Sequence, residues 1–231
     1  MLDKAFDALK SHDWGKKFDD LKPITDEVVA THGDAAARKK LEDRLAPVLK
    51  TDASRSAKHF VCRQLMVIGT ASSVPTLAAL LPDKDLSHMV RYALERIPAA
   101  EAAKALRDSL AQVKGELLIG VISSLGVRQD AKSVAALAST VLSSDSAIAR
   151  AAAAALGAIR SPEAAKALSS AKPTTEVKSA VTDASLACAE SLLADGKKGD
   201  ALAVYKKVAS EDQPKHVRLA ATRGMLACAG K

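Results

Sequence analysis

Leu and Val recur along the chain at spacings of three and four, and Ala fills most of the positions between them. That period gives each segment one apolar stripe on a helix; strands would alternate at a period of two. The stripes also repeat. HFVCRQLMVIG (59–69) aligns with HMVRYALERIP (88–98), ELLIGVISSLG (116–126) and AIARAAAAALG (147–157). Their last residues, Gly69, Pro98, Gly126 and Gly157, lie 29, 28 and 31 residues apart. TEVKSAVTDASL (175–186) begins a fifth copy and HVRLAATRGML (216–226) a sixth, with a longer interval of 40 between Val177 and Val217. Shorter apolar segments fall between these, at 72–82, 98–110, 130–142 and 161–170. Each unit therefore predicts a helix, a turn and a second helix. Leu65, Leu94, Leu125 and Leu156 hold the same repeat position and are predicted to be core residues.

Boundary residues agree with this division. Ser161-Pro162-Glu163 offers a capping hydroxyl, a proline at the first helical position and an acid in the first turn. Asp145 and Thr51-Asp52 are expected to start helices in the same way. Gly33, Gly69 and Gly157 suit either left-handed C-terminal positions or close helix contacts. One helix pair cannot bury its own apolar face, so stability must come from stacking pair on pair.

Residues 145–168, DSAIARAAAAALGAIRSPEAAKAL, resemble the short bacterial HEAT-like repeat, the type also found in phycobilisome lyases. The matching residues are Asp145, Ala149-Arg150, the run Ala151 to Ala155, Leu156-Gly157 and Pro162-Glu163-Ala164. The other copies are degenerate, and the resemblance covers roughly residues 34–231. It implies an all-α, right-handed α-solenoid of about six helix pairs, and protein binding as the usual role. It implies no reaction.

The sequence divides accordingly. Residues 1–33 hold Trp14 and two of the three Phe, and Pro23 opens a segment expected to be helical up to Gly33. This part is read as an N-terminal helical cap. Residues 34–194 form the HEAT-like repeats. Residues 195–231 form a divergent C-terminal helix pair on the same solenoid, where LLADGKKGDALAVYKKV (192–208) is similar to a tetratricopeptide-type pair.

Composition narrows the function classes. Forty-seven Ala and 27 Leu against six aromatics favour helices over sheet and are too apolar for a disordered chain. Three cysteines cannot build a disulfide framework. No apolar run is long enough to span a membrane. The net charge of +7 is spread out, at +3 for residues 1–115 and +4 for 116–231, so there is no basic arm or acidic tail. The first eighteen residues lack the apolar core of a signal peptide. A cytoplasmic location is the default expectation, and a periplasmic one follows only if the segment belongs to an exported protein. A monomer is expected.

Motifs with a known mechanism are missing: G-x-S-x-G, H-E-x-x-H, the phosphate-binding G-x-x-x-x-G-K-[ST] and C-x-x-C. No histidine precedes a glutamate, as the iron-binding HEAT-repeat hydroxylases would require. Cys62, Cys188 and Cys228 lie on apolar faces and read as small buried hydrophobes. His59 and His88 share a repeat column, which could bring two ligands together, but no Asp, Glu or Cys joins them. No cofactor, metal or catalytic residue is therefore expected, and the chain is read as non-catalytic.

One column carries the functional expectation. Its members are Val61-Cys62, Val90-Arg91, Leu118-Ile119, Ala149-Arg150, Val177-Lys178 and Val217-Arg218. The first residue is always apolar, and the second is basic in four of six. The second helices usually line the concave face in this family. Lys58, Arg63, Arg91, Arg150, Lys178 and Arg218 are thus the candidate partner-binding residues, suited to an acidic protein surface. The alternative for the same residues is internal ion pairing. A nucleic-acid protein like the HEAT-like alkylpurine DNA glycosylases is disfavoured by aromatic poverty, since base stacking needs aromatic or Arg platforms. A bilin lyase-type enzyme and a passive spacer are the remaining readings.

Overall fold

A computed structural model of the chain describes residues 1–210 and 212–230. Every regular element among them is helical, and none is a strand. No helix among them is long and apolar enough to cross a membrane. The chain forms two compact units, Met1–Val121 and Ile122–Lys231.

The first unit opens with α1 (Leu2–Lys10), a 3-10 turn (Phe18–Leu21) and α2 (Lys22–Ala30). These bury Leu9, Leu21 and Ile24 completely. The expected helix after Pro23 is present, with Gly33 beyond its end at φ +85°. There follow α3 (Ala35–Leu45), α4 (Arg55–Ile68), α5 (Val74–Ala78), α6 (Ser87–Arg96), α7 (Ala100–Ser109) and α8 (Gly115–Val127), within which the boundary between the units falls. The long helices pack in succession, α3 on α4 and α4 on α6, while α5 packs on α7. Within and between pairs, α6 also packs on α5 and on α7. The start of α4 differs from expectation. Ser54 caps it by accepting from the Ala57 N–H, whereas the Thr51 hydroxyl turns back to the Val48 carbonyl.

The second unit continues with α9 (Val134–Thr140), α10 (Ser146–Ile159), α11 (Pro162–Ser170), α12 (Thr175–Ala194), α13 (Lys198–Val208) and α14 (Lys215–Cys228). Here α10 packs on α12 and α12 on α14, while α9, α11 and α13 follow one another. The expected caps form: Asp145 accepts from the N–H groups of Ala147 and Ile148, and Ser161 from that of Ala164. Gly157 lies inside α10, and the left-handed residue ending that helix is Arg160 at φ 55°. Of the two roles open to Gly157, close packing is the one it takes. A Cβ there would sit 2.8 Å from Ala184 Cα on α12. The backbones touch because both facing residues are small.

Leu65, Leu94, Leu125 and Leu156 are all fully buried. Each such burial is worth roughly 1.5–3 kcal/mol. The Ala-rich sequence between them serves mainly to let neighbouring helices come close.

Candidate functional site

The basic column divides by burial. Its apolar members Val61, Val90, Ala149, Val177 and Val217 are buried, and Leu118 is half-buried. The next residue on a helix is turned by about 100°, so it leaves the core side. In the second unit this places Arg150 on α10, Lys178 on α12 and Arg218 on α14, all exposed. Lys178 forms an ion pair with Asp212, and hydrogen bonds from Lys178 and Ser210 hold the Asp212 carboxyl below its usual range. Arg150 and Arg218 have no carboxylate within ion-pair distance among the described residues.

In the first unit the column behaves differently. Cys62 is buried, and its thiol is pushed up to about 12 by desolvation. Arg91 is half-buried and donates a 2.9 Å hydrogen bond to the Gly120 carbonyl. Its guanidinium fills the space a side chain at position 120 would need, since a Cβ there would fall 2.5 Å from Arg91 Cζ. Burial lowers the Arg91 pKa from its ordinary value, and nearby Glu95 opposes that shift. Arg91 is thus a strut between α6 and α8. Lys58 is half-buried on α4, and Arg63 is exposed one turn further on.

The histidine column is not a shared site. His59 Nε2 lies 3.1 Å from the Asp85 carbonyl, whereas His88 packs edge-on against Tyr92 with ring centroids 4.7 Å apart. Cys188 is buried and pushed up to about 11, and Cys228 is half-buried.

Two arrangements lay outside the sequence reading. Glu42 is buried, at 1% exposure, and bonds to Thr70 and Ser73. Its signal was present: it stands beside Leu41 on the stripe shared with Leu45. The other is a groove of about 810 Å³ between the N-terminal segment and α4, whose walls include Trp14, Phe18, His59, Arg63 and Met89. Trp14 is 92% exposed and Phe18 51% exposed. The aromatic richness of residues 1–33 was legible; that two of those rings face outward was not.

No family model and no curated protein matches the chain. Among solved structures, the crystal structure of an engineered protein is similar at 20% identity and a TM-score of 0.43, over 92% of this chain and 97% of that one.

Proposed function

We propose that the chain is a non-catalytic scaffold: a right-handed α-solenoid of HEAT-like helix pairs that binds an acidic surface of a protein partner. Packing of α4 on α6 and α5 on α7 in the first unit, and of α10 on α12 and α9 on α11 in the second, supports the solenoid reading. One observation carries the binding reading. At one repeat position of the second helices, Ala149, Val177 and Val217 are buried while the adjacent Arg150, Lys178 and Arg218 are exposed. A cationic side chain recurring at one register, with no carboxylate within ion-pair distance of Arg150 or Arg218 among the described residues, favours an anionic counterpart.

The test uses immobilised polyglutamate as the acidic polypeptide and duplex DNA as the competing polyanion. Polyglutamate is retained by the wild type at low salt and released as ionic strength rises, because exposed charges beyond about 8 Å are screened at physiological salt. A double variant Arg150→Glu, Arg218→Glu loses that retention with its helical circular dichroism unchanged. Preferential retention of duplex DNA would move the chain to the nucleic-acid class. Retention of neither polyanion would make the column a solvated face and the chain a spacer.

A further inference from the structure

The groove beside α4 is built rather than incidental. Asp13-Trp14-Gly15-Lys16 forms a tight turn closed by a 3.1 Å hydrogen bond from the Lys16 N–H to the Asp13 carbonyl. Gly15 takes φ +85° at the third position, which makes this a type II turn and explains the glycine. Such a turn carries Trp14 at its outer corner, and the Asp13 carboxylate braces it by accepting from the Trp14 N–H at 2.8 Å. Phe18 is fixed from behind by His12 and Phe60, with ring centroids 4.9 and 6.4 Å away. Arg63 sets its guanidinium 5.7 Å from the Phe18 ring centroid, within cation–π range. On the same helix, Arg55 is already bonded to Asp85 at 3.2 Å. Arg63 is therefore the guanidinium in the groove wall that meets no carboxylate among the described residues.

We propose that this groove is a peptide-docking site that takes one bulky apolar side chain against Trp14 and Phe18 and an adjacent carboxylate on Arg63. The inference rests on the protein-binding reading above and names the partner segment for the first unit. Trp and Arg are among the residue types that most often carry the binding energy of an interface. A volume of about 810 Å³ lies in the range that takes a ligand the size of a short peptide segment rather than a folded surface. The charges select one carboxylate, not a run of them. Asp13 lines the groove, and Asp19 and Asp20 are exposed on the 3-10 turn that carries Phe18. Those same acids break any continuous track for a phosphate backbone and oppose an anionic lipid surface.

The experiment is a selection from a displayed random peptide library against the whole chain, followed by anisotropy titration of a labelled enriched peptide. Trp14 is the chain's one tryptophan, so its emission reports this groove directly. Enriched peptides are expected to pair an aromatic or Leu residue with a neighbouring Asp or Glu and to change Trp14 emission. Trp14→Ala and Arg63→Glu each weaken their binding about tenfold or more, at unchanged helical signal. Arg63→Gln separates loss of the cation from charge repulsion. The proposal is overturned if enriched peptides bind both variants as tightly as wild type. It is also overturned if no such peptides emerge, or if Trp14 responds to single-stranded DNA or phosphatidylserine vesicles and not to peptide. If Arg150→Glu with Arg218→Glu removes peptide binding while Trp14→Ala does not, this groove fails and the scaffold reading survives. If wild type binds neither peptide nor polyglutamate, both fall.

Discussion

The carboxylate of Glu42, on α3, accepts a 2.8 Å hydrogen bond from the backbone N–H of Thr70, 28 residues away at the turn before α5. The Thr70 hydroxyl lies 2.8 Å from its other oxygen, Oε2, and the buried Ser73 hydroxyl donates to Oε1, the oxygen that accepts from the Thr70 N–H. Thr70 in turn caps the 3-10 turn Ala71–Ser73. A buried carboxylate is costly unless its lone pairs are met, and here free N–H and O–H groups at a helix start meet them. The contact ties one helix pair to the next by a polar bond where most of the fold relies on Leu and Ala.

Glu42→Ala is accordingly expected to destabilise the first unit by roughly 1–3 kcal/mol, the cost of leaving a buried hydroxyl and a backbone donor unpaired. Glu42→Gln keeps an acceptor oxygen and should lose less. Denaturant midpoints of the two variants check the order. Equal losses would mean that the charge, not the acceptor geometry, matters.

The sequence carried the helical periodicity because each second helix keeps its own stripe. Leu65, Leu94, Leu125 and Leu156 needed no information beyond repeat register to be placed in the core. The caps at Asp145 and Ser161 were equally local, since a cap depends on residues within one turn. What was not legible depends on partners distant in sequence. Arg91 looks the same as Arg150 in the repeat, but it faces Gly120, whose missing side chain leaves room for a guanidinium. Trp14 and Phe18 are aromatic residues in a cap, and only the turn at Gly15 and the support from His12 and Phe60 decide which way they face.

Gly157→Ala separates helix propensity from helix packing. Inside a helix the substitution would ordinarily gain about 1 kcal/mol. Here the added Cβ would lie 2.8 Å from both Cα and Cβ of Ala184, where neither can yield by a side-chain rotation. Overpacking of this kind costs about 1–3 kcal/mol, so the variant should be less stable than wild type. A higher melting temperature would show that α10 and α12 separate easily. Leu156→Ala, one residue earlier and fully buried, should cost roughly 2–5 kcal/mol.

The cysteines should react unequally. Cys62 and Cys188 are buried, with thiols pushed up to about 12 and about 11, so little thiolate exists near neutral pH. Cys228 is half-buried on the last helix. A disulfide exchange reagent should modify Cys228 first and the other two only on unfolding. Stability should also fall at alkaline pH. Between 9.0 and about 12 the folded state keeps the Cys62 proton that the unfolded chain releases, so the unfolded state is favoured as pH rises. Cys62→Ala should flatten that part of the pH profile.

Arg91 and Arg150, two of the three arginines of the repeat column, should respond in opposite ways to charge reversal. Arg91 is half-buried, bonded to the Gly120 carbonyl, and has Glu95 nearby. Arg91→Glu removes a charge-assisted hydrogen bond worth about 1.5–3 kcal/mol and sets a carboxylate against a carbonyl oxygen. The first unit should therefore lose stability, seen as a lower denaturant midpoint. Arg150 is exposed and has no carboxylate within ion-pair distance among the described residues, so Arg150→Glu should stay within about 0.5 kcal/mol of wild type. Any effect of Arg150→Glu on polyglutamate binding can then be read as binding alone. A loss of stability at Arg150 equal to that at Arg91 would mean that the side chain is packed, and it would remove Arg150 from the binding surface.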